Sequence, residues 1–141
     1  MRPARADDAT ALADLTTQLG YPADARTLSR RLAPLLGRPD GAVFVAVDDG
    51  DRPIGWIHVA GLAILEADER AVIHGLVVDE AHRSGSVGTE LLAAAEAWAR
   101  ERGIGIMLVR SRSTRERAHR FYLDRGYAEV KRSHVFEKRL V

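Results

Sequence analysis

Cysteine is missing from the 141-residue chain, which removes disulfides, thiolate catalysis and cysteine-based zinc sites, and fits a reducing, cytoplasmic setting. An excess of either charge is missing too: 21 Lys and Arg stand against 20 Asp and Glu, a formal net charge of +1. That balance provides no broad field for nucleic acid or an anionic membrane. Neither partner is expected, and any anion must be bound by local groups. No apolar run is long enough to span a bilayer, and the opening Met1-Arg2-Pro3-Ala4-Arg5-Ala6-Asp7-Asp8 lacks the apolar stretch of a secretion signal. A cytoplasmic protein is therefore expected. The five histidines include no His-Glu-x-x-His spacing, so no metal is expected. Internal repeats, low-complexity tracts and interdomain linkers are also absent, and the length suits one domain over residues 1–141.

The chain does carry clear alternation of element types. Asp7 or Asp8 is placed to cap a helix with Leu12, Leu15 and Leu19 at helical spacing, ended by Gly20 and Pro22. A second helix is expected from about Asp24 to Leu36, its leucines on one stripe and Arg26, Arg30 and Arg31 forming a solvated face. Ala42–Val47 and Pro53 to about Gly61 read as a hairpin around Asp48-Asp49-Gly50-Asp51. After a polar connection at Glu66–Arg70, Ala71–Val78 is nearly continuous in apolar residues and is expected mid-sheet. A helix from Val87 to about Arg102 follows, closed by Gly103, then a strand at Ile104–Val109. Ser113 or Thr114 can cap a further helix that carries Tyr122 and ends at Gly126. Tyr127–Val130 and His134–Leu140 alternate like two final antiparallel strands. Early hairpins, a central strand-helix-strand crossover and a late hairpin predict an α/β fold, a mixed sheet with helices on both faces.

The most informative segment is Arg83-Ser84-Gly85-Ser86-Val87-Gly88-Thr89, which joins an apolar strand to a helix rich in alanine. The first N–H groups of a helix lack intrahelical partners and lie at the positive end of its dipole, so a phosphate meets donors already aimed. Gly85 and Gly88 let a ligand approach the backbone, and Arg83 adds a permanent cation. Neither a Walker loop nor the Gly-x-Gly-x-x-Gly dinucleotide fingerprint occurs.

This loop resembles motif A of the GNAT superfamily of N-acetyltransferases, (Gln/Arg)-x-x-Gly-x-(Gly/Ala), laid on Arg83 to Gly88 with Ser86 in place of the first glycine. Either the backbone at Ser86 has a conformation open to any residue or the loop differs slightly. Downstream, Ala118-His119-Arg120-Phe121-Tyr122-Leu123-Asp124-Arg125-Gly126-Tyr127 is similar to the superfamily's Ala-x-x-(aromatic/Leu)-Tyr-x-x-x-Gly-(Phe/Tyr). The resemblance implies a GNAT-like, mostly antiparallel central sheet flanked by helices on both faces. It also implies transfer of an acetyl group from acetyl-CoA to a primary amine of a small molecule or protein. Pyrophosphate would rest on Arg83, Ser84, Gly85, Ser86, Val87, Gly88 and Thr89. The pantetheine arm would run along Leu76, Val77 and Val78, where the family's strand splays from its neighbour. Arg115 replaces an asparagine that contacts pantetheine in many relatives, and can reach CoA phosphate instead. The first two helices would help wall the acceptor cleft, and a homodimer is compatible with the reading.

An alkylammonium with a pKa near ~10 must lose a proton before it attacks. Several relatives use a glutamate in the string Ala-Glu-Ile, but this chain has Ala71-Val72-Ile73. His74 stands two residues beyond Val72, and imidazole, titrating near ~6.5, can act as base. His58, Glu66, Asp68 and a base acting through water are further candidates. Tyr122 matches the tyrosine that many relatives use to protonate the departing thiolate. Two other readings compete: a non-catalytic acyl-CoA-binding regulatory module, and an unrelated nucleotide-phosphate binder, which the downstream motif disfavours.

Overall fold

The structure, a computed structural model, describes residues 1–111 and 116–141. It divides into two compact units, Met1–Arg110 and Ser111–Val141.

In the first unit five strands form one sheet in the spatial order of the sequence: β1 (Arg2–Pro3), β2 (Gly41–Val47), β3 (Pro53–Ile64), β4 (Ala67–Val78) and β5 (Met107–Val109). The first three junctions are antiparallel and β4–β5 is parallel, as a crossover through α3 (Val87–Glu101) requires. Helices α1 (Ala9–Leu19) and α2 (Ala25–Leu36) cover one face. There Leu12, Leu15 and Leu32 bury against Val43, Val45 and Val77, and Trp56 packs on the same cluster. On the other face a Cβ added to Gly55 would meet Leu91 of α3 at 3.0 Å, so α3 lies on the side of Gly55, Ile57 and Val59. The mixed, mostly antiparallel sheet with helices on both faces is thus the architecture expected.

Strands β3 and β4 are longer than the sequence suggests. Only Leu65 and Glu66 form the turn, and Ala67–Arg70 is strand, because Leu62 and Ile64 find ladder partners in Arg70 and Ala67. β5 is shorter, with Ile104–Ile106 outside it. Asp24 caps α2 by accepting the Thr27 N–H at 2.7 Å. Arg26, Arg30 and Arg31 are exposed.

Asp8 does not cap α1 through its side chain. Its carboxylate accepts the Arg5 N–H at 2.7 Å and two guanidinium bonds from Arg2 at 2.9 Å. The fork ties β1 to the turn before α1 and is itself bridged from Arg2 to Asp51 of the β2–β3 hairpin. Asp8 is 6% exposed, and chiefly the Arg2 hydrogen bonds hold its carboxyl below the ordinary value of 3.8. Asp8→Ala would leave a largely covered guanidinium with Asp51 as its carboxylate partner and two of its donors unmatched, and is expected to cost about 3 kcal/mol at neutral pH by urea denaturation. A depressed folded pKa adds stability above the ordinary carboxylate range and loses it as pH falls through the folded value. The gap between parent and variant should therefore close in strong acid, below the ordinary 3.8.

The second unit contains α4 (Glu116–Leu123). Gly126, at φ 89°, closes it: Tyr127 N–H reaches the Tyr122 carbonyl at 3.1 Å and Gly126 N–H reaches that of Leu123 at 3.3 Å. These two bonds form a Schellman closure, which needs the left-handed backbone that glycine supplies. The expected strands at Tyr127–Val130 and His134–Leu140 are not formed. Val135 and Phe136 are 90% and 92% exposed, so neither side of the alternating segment is buried, and an isolated two-stranded ribbon is marginal in water.

Candidate functional site

Strand β4 changes character halfway along. Its parallel ladder with β5 covers Ala71, Ile73 and the residue between them, and beyond Ile73 only β3 pairs with it. The register to β3 also shifts there: His58 opposes Gly75, but Val59 opposes Ile73, leaving His74 as the extra residue of a β-bulge. Past the bulge the directions of the backbone groups follow from one bond. Asp79 N–H donates to the Ile54 carbonyl at 2.8 Å, so Val77 and Trp56, two residues inward, form the next hydrogen-bonded pair. Leu76 and Val78 then turn their N–H and C=O groups to the opposite edge, where no strand pairs among the described residues. Val77 instead sends its side chain into the α1–α2 core, 5% exposed.

The open edge runs into the predicted anion loop. A turn of 3-10 helix (Glu80–His82) leads through Arg83, Ser84 and Gly85 to Ser86, the N-cap of α3. The first α-helical bond is from Glu90 N–H to Ser86 O at 3.0 Å, so the N–H groups of Val87 and Gly88 precede the ladder. Ser86 has φ −90° and ψ 3°, an ordinary L-residue conformation, which explains why the position does without glycine. Gly85 has a negative φ; the nearest atom a Cβ would meet is the His82 carbonyl at 3.7 Å, so its surface is open to a ligand. Ser84 and Thr89 are exposed on the same stretch. Arg83 does not simply point outward as a phosphate cation: its Nε donates to the Val78 carbonyl at 2.9 Å, joining the loop to the open strand edge.

Sequence reading gave no signal for Gln18. From α1 its Nε2 donates to Asp79 Oδ1 at 2.9 Å while its Oε1 accepts the Glu80 N–H at 3.1 Å. His82 Nδ1 lies 3.1 Å from the other Asp79 oxygen. These bonds, Gln18 foremost, hold the Asp79 carboxyl below its usual range and fix the turn from which the loop departs.

On the α2 side of β3 and β4 lies a cleft of about 200 Å³, whose walls include Arg38, Asp40, Gly41, Ala60, His58 and His74. The two imidazole rings are 4.9 Å apart between centroids. Burial, then the charges of His74 and Arg38, push His58 down to about 4. His74 is lowered first by desolvation and then by Arg110, the residue after β5. Glu66 and Asp68 are exposed at the far end of the hairpin, away from His74.

In the second unit Tyr122 is half-buried on α4, in edge contact with Phe121 at 5.2 Å and Tyr127 at 5.7 Å. Arg115, with Arg112, Ser113 and Thr114, lies outside the described residues. Among the described residues no group of three potential metal ligands occurs, and no helix is long and apolar enough to cross a membrane.

Comparison with known proteins adds three findings. The sequence model of the acetyltransferase (GNAT) family matches residues 9–127. No curated protein matches the chain in sequence. Solved structures do resemble it. The aminoglycoside antibiotic 6'-N-acetyltransferase AAC(6')-IG from Acinetobacter haemolyticus is 19% identical with a TM-score of 0.85, over 99% of this chain and 98% of that one. Aminoglycoside N-acetyltransferase AAC(6')-Iy, solved in complex with CoA, is 20% identical with a TM-score of 0.86, over 98% of this chain and 93% of that one. A transcriptional regulator from Bacillus halodurans C-125 is 20% identical with a TM-score of 0.87, over 97% of each chain. At these identities the likeness is one of fold.

Proposed function

The chain belongs to the GNAT acetyltransferase family, and from that premise we propose that it moves the acetyl group of acetyl-CoA to a primary amine by direct attack. One observation carries the reading: the backbone groups of Leu76 and Val78 face an edge without a strand partner, and that edge leads straight to the helix N-terminus at Val87 and Gly88. Amide groups along such an edge suit the amides of a pantetheine arm. The loop Arg83 to Thr89 suits a pyrophosphate. A neighbour of the same fold was solved with CoA.

Acetyl-CoA supplies an acyl group already activated as a thioester. An N–H of the open edge polarises the thioester carbonyl, the role of an oxyanion donor. His74 takes the proton of the incoming ammonium, directly or through water, since it is neutral at pH 7 and its lone pair is available. The amine nitrogen bonds to the carbonyl carbon, the carbon–sulfur bond breaks, and Tyr122 donates to the departing thiolate. Arg115 is assigned to the CoA phosphates. The acceptor is a small-molecule or protein amine, on one domain of this chain, acting alone or as a homodimer.

The test is free-thiol release on mixing the protein with acetyl-CoA and a pool of amines. With no cysteine in the chain, every thiol detected comes from CoA. Amine-dependent thiol release is expected. CoA binding without release would favour a regulatory module, a reading to which the fold likeness to a transcriptional regulator gives some weight.

A further inference from the structure

The cleft beside α2 says more about the acceptor than its position. Its volume of about 200 Å³ is below that of typical drug-sized pockets, and small residues, Gly41, Ala42, Ala60 and Gly61, make up much of its lining. Its one lining carboxylate among the described residues, Asp40, is engaged by Arg38, whose Nε and Nη2 reach its two oxygens at 3.2 and 3.4 Å. Glu69, the next acid along the sheet, alternates with Ala71 and Ile73 and so belongs to the α3 face, where its carboxylate lies against Gly61. Arg110 is exposed beyond β5 at the His74 end and pairs with no carboxylate among the described residues.

Arg38 and Asp40 thus neutralise each other, and the cation left without a carboxylate among the described residues is Arg110, which follows Val109, the register partner of Ile73, and so stands beside His74. His58 feels His74 and Arg38, and His74 feels Arg110, each opposing protonation after burial itself. A polycationic amine would bring several cations to a wall that offers no unengaged carboxylate. An amine that also bears an anion would satisfy Arg110 while presenting its nitrogen to the imidazole pair.

Resting on the acetyltransferase reading, we propose that the acceptor is a small amine bearing an anionic group, carboxylate or phosphate, held by Arg110 beside the His58–His74 pair. Arg110 is then a specificity-determining residue. The anion fixes the end of the molecule remote from the nitrogen, and His74 receives the proton that the nitrogen gives up.

Two measurements test this. The first compares thiol release for matched amines: β-alanine against β-alaninamide, 2-aminoethyl phosphate against ethanolamine, and spermidine as the polycation. The anionic member of at least one pair is expected to have kcat/KM about two- to fivefold above its neutral partner, the size of an exposed charge pair. Arg110→Gln should erase that preference through KM, and Arg110→Lys should restore part of it. The preferred pair tells carboxylate from phosphate. A neutral amine or spermidine as best substrate, or a preference unchanged in Arg110→Gln, overturns the proposal. The second measurement needs no turnover: imidazole NMR signals of His58 and His74 are followed during titration with β-alanine and with 2-aminoethyl phosphate. Shifts with either, lost in Arg110→Gln, uphold the anion site even in a protein that releases no thiol, a result that would count against the transferase reading alone. Unmoved signals with both probes overturn it.

Discussion

Gly88→Glu is expected to abolish CoA binding in titration calorimetry while leaving the fold intact. The fold should survive because an acidic side chain in the first turn of a helix interacts favourably with the helix dipole. Gly88 follows Val87 at the start of α3, and both present N–H groups ahead of the first helical bond. With the diphosphate on the proposed loop, a carboxylate there would meet it at close range. At a separation near 4 Å and an effective dielectric near 20, the repulsion is about 4 kcal/mol, close to a thousandfold in affinity before steric bulk is counted. Undiminished affinity with unchanged circular dichroism would show that the diphosphate lies elsewhere.

Tyr122→Phe carries the second large effect, this time on rate. Phenylalanine keeps the ring that touches Phe121 and Tyr127, and it leaves the backbone bonds at Gly126 in place, so α4 should form as before. What is lost is one hydroxyl. A thiol titrates near ~8.5 and a phenol near ~10, so full proton transfer to the thiolate is uphill by roughly 2 kcal/mol, and the gain comes from hydrogen bonding as negative charge builds on sulfur. Loss of a positioned proton donor typically lowers kcat by about a hundredfold or more, whereas CoA affinity, which the proposal assigns to the loop and strand edge, should hold. Stopped-flow thiol release would separate the two. A kcat that survives the change would remove Tyr122 from the chemistry.

Much of this was legible in the residues, for reasons that differ along the chain. The strand-to-helix loop proposed to hold the anion could be read because its ingredients are local: a strand end, small residues and a helix start lie within a few positions. Gly126 as a helix end was equally local, and it holds in the structure. The open edge of Leu76 and Val78 was expected by resemblance alone, since where β5 stops relative to β4 depends on pairing across more than thirty residues of chain. Gln18 and its bonds to Asp79 and Glu80 left no trace in the sequence for the same reason. Asp8 misled because a carboxylate just before a helix has the composition of a cap, and nothing local reveals that Arg2 claims it. The tail beyond Tyr127 misled differently: alternation describes a strand only when another strand takes its hydrogen bonds.

The extra residue at His74 acts as a phase shift in the strand. Before it, odd-numbered residues send their amides toward β5; after it, even-numbered ones send theirs the same way, to the side where β5 has ended. Remove one residue at that point and the later half of β4 would either slip against β3 or turn Leu76 and Val78 inward, closing the open edge without altering any residue on it. Deletions there should thus be far less tolerable to the fold than substitutions, since any residue keeps the count even where only histidine would keep the proposed base.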